Sequence, residues 1–325
     1  MKLNVISMSE LYDTVFTGKQ ALIEGFLYQG AYLFVGAPKI GKSFMVAQIA
    51  YHISMGIHLW NYPVQQGTVF YLALEDSQQR LQERLYRMFG VNAADNLYFS
   101  VDSNKLGSGL EEEMQEFIKV HPDTKLIIID ILQKVRDNAG SDNYSYANDY
   151  QLITRLKCFA DYHNICIMLV HHTRKQKADD NLEMISGTNG LLGAADGVFL
   201  MSKTKRTGSN ATIEISGRDQ QDTKLHLVRN SEKLSWDLER AETELWKEPP
   251  EPILDMIAKL VTAESPEWRG TAVQLVERLA LDIKPNILTR RLNVNAGRLF
   301  NEYGICYSNK HTHDSRIISL WLKKE

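Results

Sequence analysis

Gly36-Ala37-Pro38-Lys39-Ile40-Gly41-Lys42-Ser43 is the stretch from which the rest of this chain can be read. It follows an apolar run, Tyr32 to Val35, and leads directly into Phe44 to His52, whose spacing predicts a helix. Strand, glycine-containing loop and helix in that order satisfy the phosphate-binding pattern G-x-x-x-x-G-K-[ST] in full. Gly36 and Gly41 permit backbone conformations that turn successive N–H groups inward, making an anion nest at a helix N-terminus. Gly36, Ala37, Pro38, Lys39, Ile40, Gly41, Lys42, Ser43 and Phe44 are therefore the expected nucleotide cradle. Within it, Lys42 is expected to reach the β and γ phosphates of ATP and Ser43 to hold Mg²⁺. A glycine turn at a strand end is the plainer alternative, and the strand-loop-helix context disfavours it.

Working outward, β-branched apolar runs recur with helical stretches between them: Thr68 to Leu74, Leu126 to Ile129, Ile165 to Val170 and Val198 to Met201. Near-continuous apolar runs mark strands buried on both faces, which predicts an α/β fold with a mostly parallel sheet and helices on both sides. Ala211 to Ser216, Lys224 to Arg229 and Lys233 to Trp236 are separated by polar turn residues, and predict antiparallel strands at the sheet edge. Asp130 ends the run Lys125 to Ile129, so its carboxylate belongs at the sheet's C-terminal face, where it can hold a magnesium-bound water.

The residue after Asp130 is Ile131, so a water-activating carboxylate has to come from another strand. Glu75 is the candidate, since it follows the strand Thr68 to Leu74 and adjacent parallel strands finish on the same face. Asp76 is expected to cap the helix carrying Arg80, Arg84 and Arg87.

Taken together, the loop Gly36 to Ser43, Leu74-Glu75-Asp76, Asp130 and His171-His172 resemble the ordered motifs of the RecA-like ATPases. They look most like the RepA-type hexameric helicases of plasmids and mobile elements, over roughly residues 25 to 236. The resemblance implies that Glu75 polarises water and that His171 or His172 senses the γ-phosphate. It implies DNA-contacting loops at 133–150, with Lys134 and Arg136, and at 173–190, with Arg174, Lys175 and Lys177. It also implies a finger residue acting on the neighbouring subunit's ATP. Arg206 is the expected finger, with Lys203 and Lys205 beside it and Arg218 as the contender. A homo-oligomer, with a hexamer favoured, and single-stranded DNA as partner follow from the same resemblance.

Three of the eight prolines fall in Lys247 to Pro252, which reads as a linker between an ATPase domain at 1–246 and a smaller domain at 253–325. In the latter, Ile253 to Val261, Thr271 to Leu279, Ile287 to Leu292 and Ala296 to Tyr303 predict helices, and Ile305 to Tyr307 and Ile317 to Leu322 a two-stranded ribbon. That order describes a winged helix-turn-helix. With Ala296 to Tyr303 as recognition helix and Asn295 as its N-cap, Arg290, Arg291 and Arg298 become candidate DNA contacts, with duplex as the ligand; a protein partner is the rival reading.

Net charge is only -3, but it is unevenly placed. From Trp268 to Glu325 ten Lys/Arg face five Asp/Glu, a balance of +5 that leaves -8 upstream. A basic module on an acidic engine is the implied arrangement. Three scattered cysteines without a CxxC or HxxxH pair argue against disulfide or zinc frameworks, and no apolar run is long enough to span a bilayer. A cytoplasmic ATPase working on DNA is the expectation; a nucleotide-gated regulator and a filament-forming recombinase are the alternatives.

Overall fold

The structure, a computed structural model, describes residues 5–16, 20–136, 146–173, 189–203, 205, 207–218, 220–243, 250–311 and 316–323. It divides into two compact units, one spanning 20–246 and the other joining 1–19 to 247–325.

The larger unit opens with a short antiparallel pair, β1 (Ala21–Ile23) and β2 (Leu27–Tyr28), preceded in the chain by α1 (Met8–Asp13) of the other unit. Its main sheet contains β3 (Gly30–Gly36), β4 (Thr68–Ala73), β5 (Leu97–Ser100), β6 (Thr124–Asp130), β7 (Cys166–His172) and β8 (Gly197–Ser202). These six are mutually parallel in the order β8-β3-β7-β6-β4-β5. Beyond β8, the strands β9 (Asn210–Gly217), β10 (Gln220–Arg229) and β11 (Trp236–Thr243) extend the sheet antiparallel.

Alternation along β3 shows why its sequence is apolar throughout. Tyr32 and Phe34 join one core with Met45, Ile49 and Ile53 of α2 (Lys42–Met55) and Leu81 of α3 (Gln78–Phe89). Leu33 and Val35 face the other core, with Met114 of α4 (Leu110–Val120), Leu132 of α5 (Leu132–Val135), Leu156 of α6 (Tyr146–His163) and Leu191 of α7 (Asn189–Ala194). The expected mostly parallel sheet, with helices on both faces and antiparallel edge strands, is the one observed.

Details differ from the sequence reading. Residues 231–233 form a turn, not a strand, because Asn230 Oδ1 accepts from the backbone N–H groups of Glu232 and Lys233, both at 3.1 Å. The last strand therefore begins at Trp236 and runs into the polar segment up to Thr243, where no apolar run announces it. Pro252, expected in the linker, is the first residue of α8 (Pro252–Leu260), a position where its missing N–H costs nothing.

The smaller unit continues through β12 (Glu267–Thr271), α9 (Ala272–Arg278), α10 (Pro285–Val294), α11 (Ala296–Tyr303), β13 (Ile305–His311) and β14 (Arg316–Leu322). Its sheet has three strands, ordered β12-β14-β13, where the sequence suggested two. Glu267-Trp268-Arg269-Gly270-Thr271 carries no alternation to reveal β12. Ile257, Leu275, Leu288, Leu292, Leu299, Ile318 and Leu320 fill the core of this unit. Asn295 does not cap α11 with its side chain; its Nδ2 donates back to the Arg291 carbonyl at 2.9 Å and closes α10. The described residues 5–16 also belong to this unit and not, as the boundary at 246 implied, to the larger one: Val15 packs on its core and α1 lies against α10.

Candidate functional site: a phosphate loop at the strand ends

β3 is central in the sheet, between β7 and β8, and the chain leaves it by α2 to reach β4 three strands away. The loop 37–41 therefore sits outside the carboxyl ends of parallel strands at a reversal of strand order, the usual ligand position in such sheets. Its backbone is shaped for an anion. Lys39 has φ 64° and Gly41 φ 105°, and α2 starts at Lys42 with no side-chain cap on its N–H groups. Crowding explains both glycines: a Cβ on Gly36 would lie 2.6 Å from the Met201 carbonyl oxygen, and one on Gly41 would lie 2.8 Å from Trp236 Cζ2.

Lys42 is buried, with Nζ donating to the carbonyl oxygens of Gly36 at 2.8 Å and Ala37 at 3.0 Å, and lying 3.0 Å from His172 Nδ1. Burial pulls its pKa down to about 8, against the pull of the Asp130 and Glu75 carboxylates. The His172 imidazole is held below its ordinary value by burial and by the Lys42 charge. Of the two strand-end histidines, His172 thus meets the lysine, while His171 is buried on the other face of β7.

Asp130 is buried at the end of β6 and accepts a hydrogen bond from Tyr71 Oη at 2.7 Å and another from Ser43. Burial raises its pKa; these hydrogen bonds oppose the rise. Ser43 and Asp130 together present hard oxygen donors beside the anion nest, a set suited to Mg²⁺ bound jointly by protein and phosphate. Glu75 lines the same cleft, of about 970 Å³.

Asp76 does not cap the following helix. Ser77 does, accepting from the Arg80 N–H, while Asp76 forms ion pairs with Arg84 and, at 3.6 Å, with Arg80. The cleft also holds cations that the sequence reading left without a role. The Arg229 guanidinium lies 4.3 Å from the Phe44 ring centroid and 5.2 Å from that of Trp236, and the Arg84 guanidinium lies 5.3 Å from the same Phe44 centroid. Arg229 comes from the end of β10, distant in sequence from the loop, so no local spacing could have found it.

The other predicted positions separate. Lys203 lines its own chain's cleft, with Nζ 5.1 Å from the Trp236 ring, and Arg218 lies at the opposite end of β8 from the phosphate loop, donating to the Gly193 carbonyl. Lys205 is exposed; Arg206 lies outside the described residues, as do Arg174, Lys175 and Lys177. Lys134 is exposed at the cleft rim. Arg136 is not a free loop cation. It is buried and paired with Asp149 at 2.8 Å, because α5 occupies the start of the expected loop and α6 begins at Tyr146. In the smaller unit Arg290, Arg291 and Arg298 pair with Asp13, Glu251 and Glu302 respectively. Among the described residues, no helix is long and apolar enough to cross a membrane.

Comparison with known proteins agrees with this geometry. The family model described as an AAA domain matches residues 5–178. No curated protein sequence matches the chain. Among solved structures, the chain is similar to one described as an ATPase domain, with a TM-score of 0.52, 14% identity, and coverage of 64% of this chain and 84% of that one. It is also similar to a DnaB-like replicative helicase described with its interactions with primase, with a TM-score of 0.52, 15% identity and coverage of 64% of this chain. The match spans only 57% of that helicase chain. At these identities the likeness establishes a shared fold.

Proposed function

Because this chain belongs to the AAA domain family, we propose that it is a Mg²⁺-dependent ATPase motor acting on DNA, a ring-forming helicase resembling the RepA type that serves replication of a mobile element. The observation that carries the reading is the convergence of Lys42, Ser43, Asp130, His172 and Glu75 on one cleft at the C-terminal ends of parallel strands. The backbone N–H groups of the loop and the Lys42 ammonium bind and orient the triphosphate, countering charge as the γ-phosphoryl group transfers. Ser43 and Asp130 would hold Mg²⁺, which would supply further charge neutralisation. Glu75 takes a proton from the water that attacks the γ-phosphorus, as the bond to the ADP oxygen breaks and phosphate leaves. His172 meets Lys42 and stands in the sequence just ahead of Arg174, Lys175 and Lys177, which supports a part for it in relaying occupancy to DNA.

Glu75→Gln should retain ATP binding while hydrolysis falls by roughly 100-fold or more, since an amide keeps the size and loses the base. Equal loss of binding would make Glu75 structural. Assembly is tested by mass measurement with a non-hydrolysable ATP analogue and single-stranded DNA; a closed hexamer supports the ring, and a monomer or dimer the nucleotide-gated regulator. Mixing Lys42→Ala with Arg206→Ala subunits should then restore part of the activity, because an intact cleft can meet an intact finger. No recovery despite subunit exchange would remove Arg206 from the role.

A further inference from the structure

Residues 5–16 are held on the rest of the smaller unit mainly by polar contacts. Asp13, at the end of α1, sits between two arginines from different elements: its Oδ1 is 3.4 Å from Arg290 Nε on α10, and its Oδ2 is 3.7 Å from Arg316 Nη2 at the start of β14. Arg290 Nη2 donates to Ser9 Oγ at 2.7 Å, and Asn293 Nδ2, one turn along α10, donates to the Tyr12 carbonyl at 2.8 Å. Asn293 is only 1% exposed, and its Oδ1 accepts from Tyr307 Oη at 2.8 Å, so its amide N–H is aimed outward by the fold. The receiving groups are all donors and the incoming groups are all oxygen acceptors.

Little apolar burial holds this segment down. α1 contains no buried residue, and Met8, Leu11 and Phe16 are 66%, 42% and 57% exposed. Val15, by contrast, packs on the core of the unit. The attachment is therefore largely made of half-exposed ion pairs and hydrogen bonds, which are weak in water and screened by salt. Such a contact is readily exchanged for a better anion.

We propose that Arg290, Arg316 and Asn293 form a phosphodiester-binding site for duplex DNA, and that Asp13, Ser9 and Tyr12 occupy it as stand-ins for phosphate oxygens, so that residues 5–16 compete with DNA. The inference rests on the reading that DNA is a partner of this chain. Arginine forks match phosphate oxygens in pairs, and the surrounding residues Trp268 to Glu325 carry the +5 balance that favours a polyanion. The placement suits a duplex: Arg290 on α10 and Arg316 at the start of β14, a strand paired with β13, approach one acidic side chain from different elements, so the two arginines can grip adjacent backbone phosphates. The seat is specific to Arg290 on this helix, since Arg291, its neighbour, faces Glu251 instead.

The test uses the full chain and a short fluorescent duplex, read by anisotropy over a range of salt without nucleotide. Asp13→Asn, which keeps the size and removes the charge, is expected to tighten binding by roughly tenfold. Arg290→Ala and Arg316→Ala should weaken it, each reducing the log–log salt slope by about 1. As a second measurement on the unaltered chain, duplex should accelerate chymotryptic cleavage at Leu11, Tyr12 or Phe16 as the segment is released. Binding that Asp13→Asn leaves unchanged, with cleavage indifferent to duplex, overturns the competition. Binding that survives both arginine substitutions with its salt slope intact overturns the site. Absence of duplex binding in the parent and in Asp13→Asn also overturns it, and stimulation of ATPase by single-stranded DNA, measured alongside, then shows separately whether the DNA-motor reading stands.

Discussion

Lys42 shows how much chemistry rests on single side chains here. Its ammonium is held by two loop carbonyls and faces His172, and on the proposed reading it serves as a phosphate counter-charge and not as a core group. Lys42→Ala should reduce ATP turnover below detection while circular dichroism and thermal melting stay close to those of the parent. Gly41 makes the complementary point through its missing side chain. Gly41→Ala would have to accommodate φ 105° and a Cβ lying 2.5 Å from Arg229 Nη1 and 2.8 Å from the fully buried Trp236. Strain of that kind costs about 1–3 kcal/mol, and because it falls on the loop itself, affinity for a fluorescent ATP analogue should drop by roughly tenfold or more. Unchanged affinity would mean that the loop backbone can move without cost. Arg229 stacks over Phe44, so Arg229→Ala should raise the KM for ATP by about fivefold, the equivalent of about 1 kcal/mol, with kcat held. A fall in kcat at constant KM would instead give Arg229 a part in the chemical step.

At the scale of elements, a buried ion pair ties Arg136, at the end of α5, to Asp149 of α6. Arg136 and Asp149 are 7% and 1% exposed in their side chains, so removing one partner leaves a charge stranded away from water. Arg136→Ala should destabilise the larger unit by about 3–5 kcal/mol in urea denaturation, and adding Asp149→Ala should recover part of that loss. A loss under about 1 kcal/mol would show that solvent reaches Asp149 freely. The same measurement separates stability from DNA contact. In the sequence Arg136 reads as a DNA-facing loop cation, and nothing in charge alone distinguishes a solvated arginine from one that a later helix buries.

For the whole molecule, every described residue lining the cleft lies within residues 20–246, which form one compact unit. We propose that this unit folds alone, and a chain of residues 20–246 should keep basal ATPase activity and a cooperative melt. Cutting after Glu248 alone is predicted to be the worse choice: it leaves Val15 without the core on which it packs and Asp13 without Arg290 and Arg316. If the 20–246 chain were insoluble and the 1–248 chain sound, the segment 5–16 would belong with the ATPase unit after all.

The sequence by itself determined the features that are local in the chain. The loop Gly36 to Ser43 declares its backbone through its glycines, and the parallel strands declare themselves because burial on both faces demands unbroken apolar runs. Asp130 and Glu75 were legible for the same reason, each being a charge where such a run stops. Strands with exposed edges, such as β12 and the end of β11, carry no such demand and leave no apolar pattern in the sequence. Only the tertiary structure could show that His172 and not His171 meets Lys42, because adjacent strand residues face opposite sides and the sheet decides which side holds the loop 37–41. It alone brought Arg229 onto Phe44, buried Arg136 against Asp149 and set Asp13 between Arg290 and Arg316. Those pairings join residues that are not neighbours in sequence, and burial and charge neutralisation act on distance in space, which no spacing along the chain encodes.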